Sequence, residues 1–142
     1  MRSSSSREKL FRAALAALFT IAVAASGGAE SPPAPNSAQP YVVKVHADWC
    51  GTCSALEPTW EKIEAEYQGK VRLVVFDVTN KKAVEKSRAE AKLLGLTDVF
   101  DRYKGSTGTI AVLDAQGNPI AVMKGELDFT RYKEAIAQAQ IS

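Results

Sequence analysis

The sequence predicts an α/β domain in which short apolar strands alternate with helices. Three observations lead to this prediction: apolar runs of strand length, stretches of helical spacing between them, and Gly, Asn or Asp residues at the boundaries. Strand, helix and strand follow one another at the start of this region, which favours a parallel pair joined by a right-handed crossover. A short Gly-containing turn separates the last two strands and predicts a β-hairpin.

The elements follow one another from residue 41 to the C-terminus. In the first strand the side chains of Val43 and Val45 share one face, and Lys44 lies on the other. Asn80 and Asp128 stand where they can cap the helices that follow them. The predicted elements, in chain order, are strand 41–47, helix 54–67, strand 71–78, helix 81–94, helix 97–103, strand 109–114, strand 119–124 and helix 129–139.

Composition indicates one ordinary globular domain. The chain has 142 residues, of which 46% are hydrophobic and 24% charged. The formal net charge is +2, but residues 1–29 hold four basic residues and one acidic residue, which leaves 14 basic and 15 acidic residues in the remainder. A nearly neutral domain offers no electrostatic reason to bind nucleic acid, so we expect no nucleic-acid partner.

The N-terminal segment, residues 1–29, has the order of a secretory signal peptide. A Ser- and Arg-rich start precedes the apolar run 13–25, and small residues follow it. An uncleaved membrane anchor and an organelle transit peptide are the alternatives, although the apolar run is shorter than the roughly 20 residues that a membrane span needs. Residues 30–39 are Pro-rich and predict a linker, so the domain is expected to comprise residues 40–142.

The two cysteines of the chain, Cys50 and Cys53, stand two residues apart between the first strand and the first helix. This layout places Cys50 in the first turn of a helix, where free N–H groups and the helix dipole favour a thiolate. We therefore expect an exposed, reactive sulfur at Cys50. Cys53 lies one helical turn further and can close a disulfide onto it.

The motif resembles the thioredoxin superfamily. Trp-Cys-Gly-x-Cys follows an apolar strand, and Pro58 falls where the family's active-site helix carries a kinking proline. The Ala-Asp-Trp-Cys lead-in and Glu57 are similar to those of periplasmic disulfide reductases. The resemblance extends from Tyr41 to the C-terminus and implies a thioredoxin-like three-layer sandwich, with a central mixed sheet and helices on both faces.

The chemistry expected of this motif is thiol–disulfide exchange through a redox-active CxxC disulfide. Cys50 is the predicted nucleophile and Cys53 the predicted resolving thiol. The alternatives are a structural disulfide, which would stabilise little because its loop is short, and half of a zinc site. His46, Cys50 and Cys53 are the soft metal ligands of the chain, and a structural zinc ion usually has four ligands.

Glu57 is a third candidate catalytic residue. Typical thioredoxins carry a buried aspartate where this chain has Lys44, which could favour thiolates by its charge or extend to the surface. Glu57 follows Cys53 by four residues on the same helix, so we hypothesise that it takes up and returns the Cys53 proton. A solvent-facing glutamate without a catalytic role is the alternative.

Candidate docking residues flank the cysteines. The resemblance implies that Trp49 shields the disulfide and contributes to the docking surface. The family normally has a cis-proline before the third strand, and Gly108 stands at that place, preceded by Thr107. We expect a trans peptide there, because a cis bond before a non-proline residue costs about 2.5–4 kcal/mol. Residues 81–104 form a longer crossover than in a minimal thioredoxin and are a candidate partner-binding region.

These observations predict an exported thiol–disulfide oxidoreductase that reduces protein disulfides, with the periplasm as its compartment. A membrane-anchored form facing the periplasm and the thylakoid lumen are the alternatives. A membrane electron-delivery protein is the implied partner, no dissociable cofactor is required, and we expect a monomer. The rival functions are a non-enzymatic interaction module with this fold and a metal-binding CxxC domain.

Overall fold

The computed structural model describes residues 39–142, and the predicted signal peptide and most of the predicted linker lie outside them. This part of the chain contains four strands and four helices. They are β1 (Tyr41–His46), α1 (Gly51–Tyr67), β2 (Arg72–Asp77), α2 (Lys81–Leu94), α3 (Thr97–Tyr103), β3 (Thr109–Leu113), β4 (Pro119–Lys124) and α4 (Phe129–Gln140). Among these described helices, none has the length and apolar character needed to cross a membrane.

The strands form one mixed sheet in the order β2-β1-β3-β4. β1 and β2 are parallel, whereas β3 is antiparallel to both β1 and β4. The parallel pair places His46 beside Asp77 at the carboxyl ends of β1 and β2, and Thr109 at the start of β3 reaches the same end of the sheet. The predicted parallel pair and the predicted hairpin are both confirmed.

Each face of the sheet carries its own apolar core, because β1 is buried on both sides. One core contains Val43 and Val45 with apolar side chains of α2 and α3. The other contains Val42 with apolar side chains of α1 and α4. Burial on both faces explains why β1 reads as a nearly continuous apolar run. The predicted α/β architecture, with helices on both faces of a central mixed sheet, is confirmed.

Local signals fixed most element boundaries to within a residue. The Asn80 side chain accepts a hydrogen bond from the Ala83 N–H and caps α2, and Asp128 caps α4 by accepting one from the Thr130 N–H. The predicted start of α1 was wrong, since this helix begins at Gly51 rather than at residue 54. Glycine and threonine are weak helix formers, which is why the sequence pattern alone missed this turn.

Candidate active site

The two cysteines lie where β1 passes into α1, at the carboxyl ends of the parallel strands. The turn is closed by a hydrogen bond from the Cys50 N–H to the Ala47 carbonyl, 3.0 Å long. Cys50 is the N-cap residue of α1, and its Sγ accepts the Cys53 N–H over 3.2 Å. The same N–H also donates to the Cys50 carbonyl over 3.0 Å, so the sulfur and the carbonyl share this donor of the first helical turn. The predicted placement of Cys50 at the helix start is therefore confirmed.

The sulfur of Cys50 is less exposed than the sequence led us to expect. Cys50 is 7% exposed and Cys53 is 1% exposed, and both carry free thiols. Gly108 lies directly over Cys50, because a Cβ atom on Gly108 would stand 3.7 Å from the Cys50 Sγ. The expectation of an exposed Cys50 was wrong because it considered the helix end alone and not the loop that covers it.

The surroundings shift the pKa values of the two thiols in opposite directions. Burial on its own would raise the pKa of Cys50, but hydrogen bonds from Cys53, from the Thr107 side chain and from the backbone outweigh it and lower that pKa. Burial raises the pKa of Cys53, and its contact with Cys50 raises it further. The Cys53 Sγ also lies 3.7 Å from the Val45 carbonyl oxygen, to which its thiol donates. Cys50 is therefore the thiol that ionises first.

Lys44 and Glu57 form an ion pair beneath the first turns of α1. The Lys44 Nζ lies 2.6 Å from the Glu57 Oε2, and the side chains are 4% and 46% exposed. The ammonium also stands 5.3 Å from the centre of the Trp60 ring. Lys44 thus remains buried instead of extending to the surface. No hydrogen bond joins Glu57 to Cys53 within residues 39–142, so the predicted proton-carrying role of Glu57 stays a prediction.

Trp49 is held at the surface by the loop after β2. Its side chain is 66% exposed. Its Nε1 donates to the Thr79 carbonyl over 3.0 Å, and the Asp48 N–H donates to the Thr79 Oγ1 over the same distance. The Thr79 hydroxyl in turn donates to Asp77 over 2.6 Å. The indole is therefore both exposed and fixed in direction, as a docking residue needs to be.

Gly108 lies against Cys50, and the Thr107 side chain is one of the groups that lower the pKa of Cys50. Gly108 has a φ of 76°, which favours glycine. Its N–H donates to the Val45 carbonyl and its carbonyl accepts the Gly125 N–H, each over 2.9 Å. None of the peptide bonds in the described part of the chain is cis, so the predicted trans bond before Gly108 is confirmed. Both backbone groups of Gly108 are therefore engaged within the domain.

Sequence reasoning missed two residues of this site. Thr52, inside the Cys-x-x-Cys motif, packs against Gly108 and Gly125, which lie before β3 and after β4. Gly125 has a φ of 65° and forms a turn after β4. A single glycine in the sequence does not by itself predict this turn. These contacts join residues more than fifty positions apart, so no local pattern could have predicted them.

His46 lies at the edge of the site. Its Nε2 stands 3.2 Å from the Asp48 Oδ1, and its side chain is 27% exposed. Within residues 39–142, no group of three or more His, Cys, Asp or Glu side chains is arranged to hold a metal ion. Its partial exposure and its contact with Asp48 place His46 at the edge of the site.

Three comparisons relate this chain to known proteins. A segment of 44 residues is 46% identical to Protein disulfide-isomerase A6 homolog of Caenorhabditis elegans, covering 31% of this chain and 10% of that protein. A segment of 43 residues is 46% identical to the mitochondrial thioredoxin of Bos taurus, covering 30% and 26%. A third, of 47 residues, is 43% identical to Thioredoxin-like protein HCF164, chloroplastic, of Arabidopsis thaliana, covering 33% and 18%. The matched segments thus span only a tenth to about a quarter of these relatives.

The chain is also similar to solved structures. Fasciola hepatica thioredoxin is 21% identical, with 73% of this chain and 84% of that chain covered and a TM-score of 0.49. Thioredoxin O2 of Arabidopsis thaliana is 22% identical, with 71% and 75% covered and a TM-score of 0.47. The family model described as Thioredoxin matches residues 34–91, which include β1, the Cys-x-x-Cys turn, α1 and β2. Over this segment the chain is similar to the Thioredoxin family, and the segment includes the paired cysteines at the start of α1.

Proposed function

We propose that this protein is a thiol–disulfide oxidoreductase that reduces protein disulfides through a Cys50/Cys53 dithiol–disulfide cycle. The observation that carries the proposal is the asymmetry of the two thiols. Cys50 caps a helix and has a lowered pKa, whereas Cys53 is more deeply buried and has a raised pKa. An attacking thiol must be ionised near neutral pH, and a resolving thiol can wait in its protonated form.

In the first step, the Cys50 thiolate attacks one sulfur of a substrate disulfide. A bond forms between the Cys50 Sγ and that sulfur, and the substrate S–S bond breaks. The other substrate sulfur leaves as a thiolate and takes a proton from solvent. The hydrogen bond from the Cys53 N–H stabilises the Cys50 thiolate before the attack and holds the sulfur in place.

In the second step, Cys53 loses its proton and attacks the Cys50 Sγ. The Cys50–Cys53 disulfide forms, the mixed disulfide breaks, and the second substrate sulfur leaves as a thiolate. Two electrons have then passed from the dithiol to the substrate. In this proposal Glu57 accepts the Cys53 proton and returns it in the reverse direction. Its position four residues after Cys53 on α1 and its half-exposed carboxylate support this role.

Substrate docking is assigned to Trp49, Thr107 and Gly108. The exposed indole of Trp49 offers an apolar surface beside Cys50, and the Thr107 hydroxyl contacts the Cys50 sulfur. Gly108 lies over that sulfur, so its loop lines the approach to Cys50. An extended substrate segment that carries the disulfide would lie across this loop.

We assign the protein to an exported compartment, with the periplasm preferred over a membrane-anchored form or the thylakoid lumen. The order of basic, apolar and small residues over positions 1–29 supports export. A reductase outside the cytosol must regain electrons after each turnover. A membrane protein that delivers electrons to the Cys50–Cys53 disulfide is therefore the proposed partner, and the domain is proposed to act as a monomer.

A redox titration tests the central proposal. The mature protein is equilibrated in thiol/disulfide buffers, its free thiols are trapped by alkylation, and its mass is read. We expect a reversible two-electron transition close to that of thioredoxin, about −270 mV. A midpoint close to about −120 mV would instead make the protein an oxidant. Cysteines that do not cycle in this range would overturn the proposed function in favour of a binding module or a metal-binding domain.

Glu57→Gln tests the proton-carrying role. We expect this variant to slow the resolving step and to change its dependence on pH between 6 and 9, because the amide cannot accept the Cys53 proton. Glu61→Gln is the matched control, since Glu61 is an exposed carboxylate one turn further along α1. If both variants show the same pH profile as the unmodified protein, Glu57 has no part in proton transfer.

A further inference from the structure

Thr52 occupies the space that a side chain at position 108 would need. A Cβ atom on Gly108 would lie 2.7 Å from the Thr52 Cγ2 and 2.9 Å from the Thr52 Cβ. A Cβ atom on Gly125 would lie 3.3 Å from the same Cγ2. The Thr52 methyl group therefore sits in a notch formed by two glycines, one before β3 and one after β4.

Backbone hydrogen bonds hold the Gly108 side of this notch in place. The Gly108 N–H donates to Val45 in β1, and the Gly108 carbonyl accepts the Gly125 N–H. Gly108 is therefore tied into the sheet on both sides of its backbone. Thr52 lies between the two cysteines in the first turn of α1, so its side chain links this turn to positions 108 and 125.

We propose that Thr52 is a positioning residue, whose side chain packs between Gly108 and Gly125 and holds the 107–108 loop over the Cys50 sulfur. Threonine at position 52 and glycine at position 108 are complementary: the branched side chain fills the space that the glycine leaves. The contact limits access to Cys50, which is only 7% exposed. Its role in selecting disulfides depends on the proposed function, whereas the packing itself does not.

The first test compares two variants that keep the backbone unstrained. Thr52→Ser removes the Cγ2 methyl group, and Thr52→Val keeps the branched shape while losing the hydroxyl group. Cys50 is alkylated with iodoacetamide in the full chain, at pH values where the thiol is fully ionised, and the modified cysteine is identified by fragment mass spectrometry. At this plateau the rate reports access to the sulfur and is independent of its pKa.

We expect the plateau rate of Thr52→Ser to exceed that of the unmodified protein about threefold or more, because a lost methyl contact loosens the packing above the sulfur. Thr52→Val is expected to remain close to the unmodified protein. A residue that merely stabilises the fold would change the unfolding equilibrium without changing this native-state rate. Equal plateau rates for the Ser and Val variants would overturn the proposal.

The second test measures coupling between positions 52 and 108. Gly108→Ala is made in the unmodified chain and in the Thr52→Gly background, and unfolding by urea is measured for all four proteins. Backbone strain from the positive φ at position 108 is common to both backgrounds and cancels in the comparison. We expect Gly108→Ala to increase the unfolding equilibrium constant about tenfold more when Thr52 is present, because overpacking then adds to the strain. An equal increase in both backgrounds would refute the contact.

These outcomes are independent of the proposed function. If the protein fails to exchange with disulfides but follows the expected alkylation and coupling patterns, the oxidoreductase assignment fails and the positioning role of Thr52 stands. If disulfide exchange is observed but Thr52→Ser and Thr52→Val behave alike, the positioning role fails and the assignment stands.

Discussion

The two ends of the sheet differ in whether their buried polar side-chain atoms are hydrogen-bonded. At the hairpin end, the Asp114 carboxylate accepts hydrogen bonds from the Gln116 N–H over 2.9 Å, the Asn118 N–H over 2.8 Å and the Asn118 Nδ2 over 2.9 Å. At the cysteine end, the His46 Nδ1 and the Thr109 Oγ1 are buried without a hydrogen-bond partner among residues 39–142. These two atoms are the unsatisfied buried side-chain polar atoms of the described domain.

The difference separates a structural role from a chemical one. The buried Asp114 carboxylate accepts three hydrogen bonds and holds its turn in one conformation. Its role is structural. The cysteine end combines unsatisfied polar groups, buried thiols and an exposed tryptophan. This combination reduces the stability of the fold and indicates that the cysteine end has a functional role. Substitutions at the two ends should therefore affect different measurements.

The largest expected effect is a crossed pattern between Cys50→Ser and Asp114→Ala. Cys50→Ser removes the attacking thiol, so reduction of a protein disulfide should be lost while the free energy of unfolding changes little. Asp114→Ala should leave exchange intact and cost about 2–3 kcal/mol, because it deprives the turn of hydrogen bonds to a charged group. Turbidity from insulin reduction and urea denaturation measure the two properties.

Asp101→Ala serves as the control for loss of a carboxylate. Asp101 forms an ion pair at the surface with Lys104, and exposed pairs contribute little to stability. The contrast between the two ends would be refuted if Asp114→Ala abolished disulfide reduction in the folded protein, or if it destabilised no more than Asp101→Ala.

Acid should weaken the hairpin end. Burial on its own would raise the pKa of Asp114, but hydrogen bonds from the Asn118 side chain and from the turn backbone outweigh it and lower that pKa. A carboxylate whose pKa is lower in the folded state stabilises the protein above its unfolded pKa of about 3.9, and this contribution is lost as the pH falls through the folded value. The stability gap between the unmodified protein and Asp114→Asn should therefore narrow as the pH falls below about 4. Urea midpoints across this range measure it, and a constant gap would contradict the role of the charge.

Much of the hairpin end could be predicted from the sequence, because its interactions are local. Asp114, Gly117 and Asn118 lie within five positions, and their types favour a turn between apolar runs. The caps at Asn80 and Asp128 were predictable for the same reason, since each contacts a backbone N–H two or three residues further along.

The cysteine end could be predicted only in part. The motif identified Cys50 and Cys53, but their burial depends on the loop before β3, which lies more than fifty positions further along the chain. Lys44 was recognised as unusual, yet its pairing with Glu57 depends on how α1 lies across β1. These contacts depend on tertiary packing, which local periodicity does not encode.

Thr107→Val should shift the titration of Cys50 without a large change in stability. Burial acts to raise the pKa of Cys50, and the Thr107 hydroxyl is one of the hydrogen-bond donors that together lower it. Removing this donor should move the half-maximal pH of Cys50 alkylation to a higher value. Thr107→Ser keeps the hydroxyl group and should titrate like the unmodified protein. Identical profiles for the Val and Ser variants would exclude the Thr107 hydroxyl as a thiolate partner.

The smallest expected change in stability comes from Trp49→Phe, with Trp60→Phe as the matched comparison. Trp49 is 66% exposed and Trp60 is 2% exposed, and each indole N–H donates one hydrogen bond, to the Thr79 carbonyl and to Glu64 respectively. Trp49→Phe loses a hydrogen bond that water can replace, so we expect about 0.5 kcal/mol or less. Trp60→Phe leaves a cavity in the core and should cost more. For reduction of a protein disulfide, however, the order should reverse: Trp49→Phe should raise the KM more than Trp60→Phe does, because only the exposed ring lies on the proposed docking surface. If Trp49→Phe leaves the KM for a protein disulfide unchanged, Trp49 does not contribute to docking.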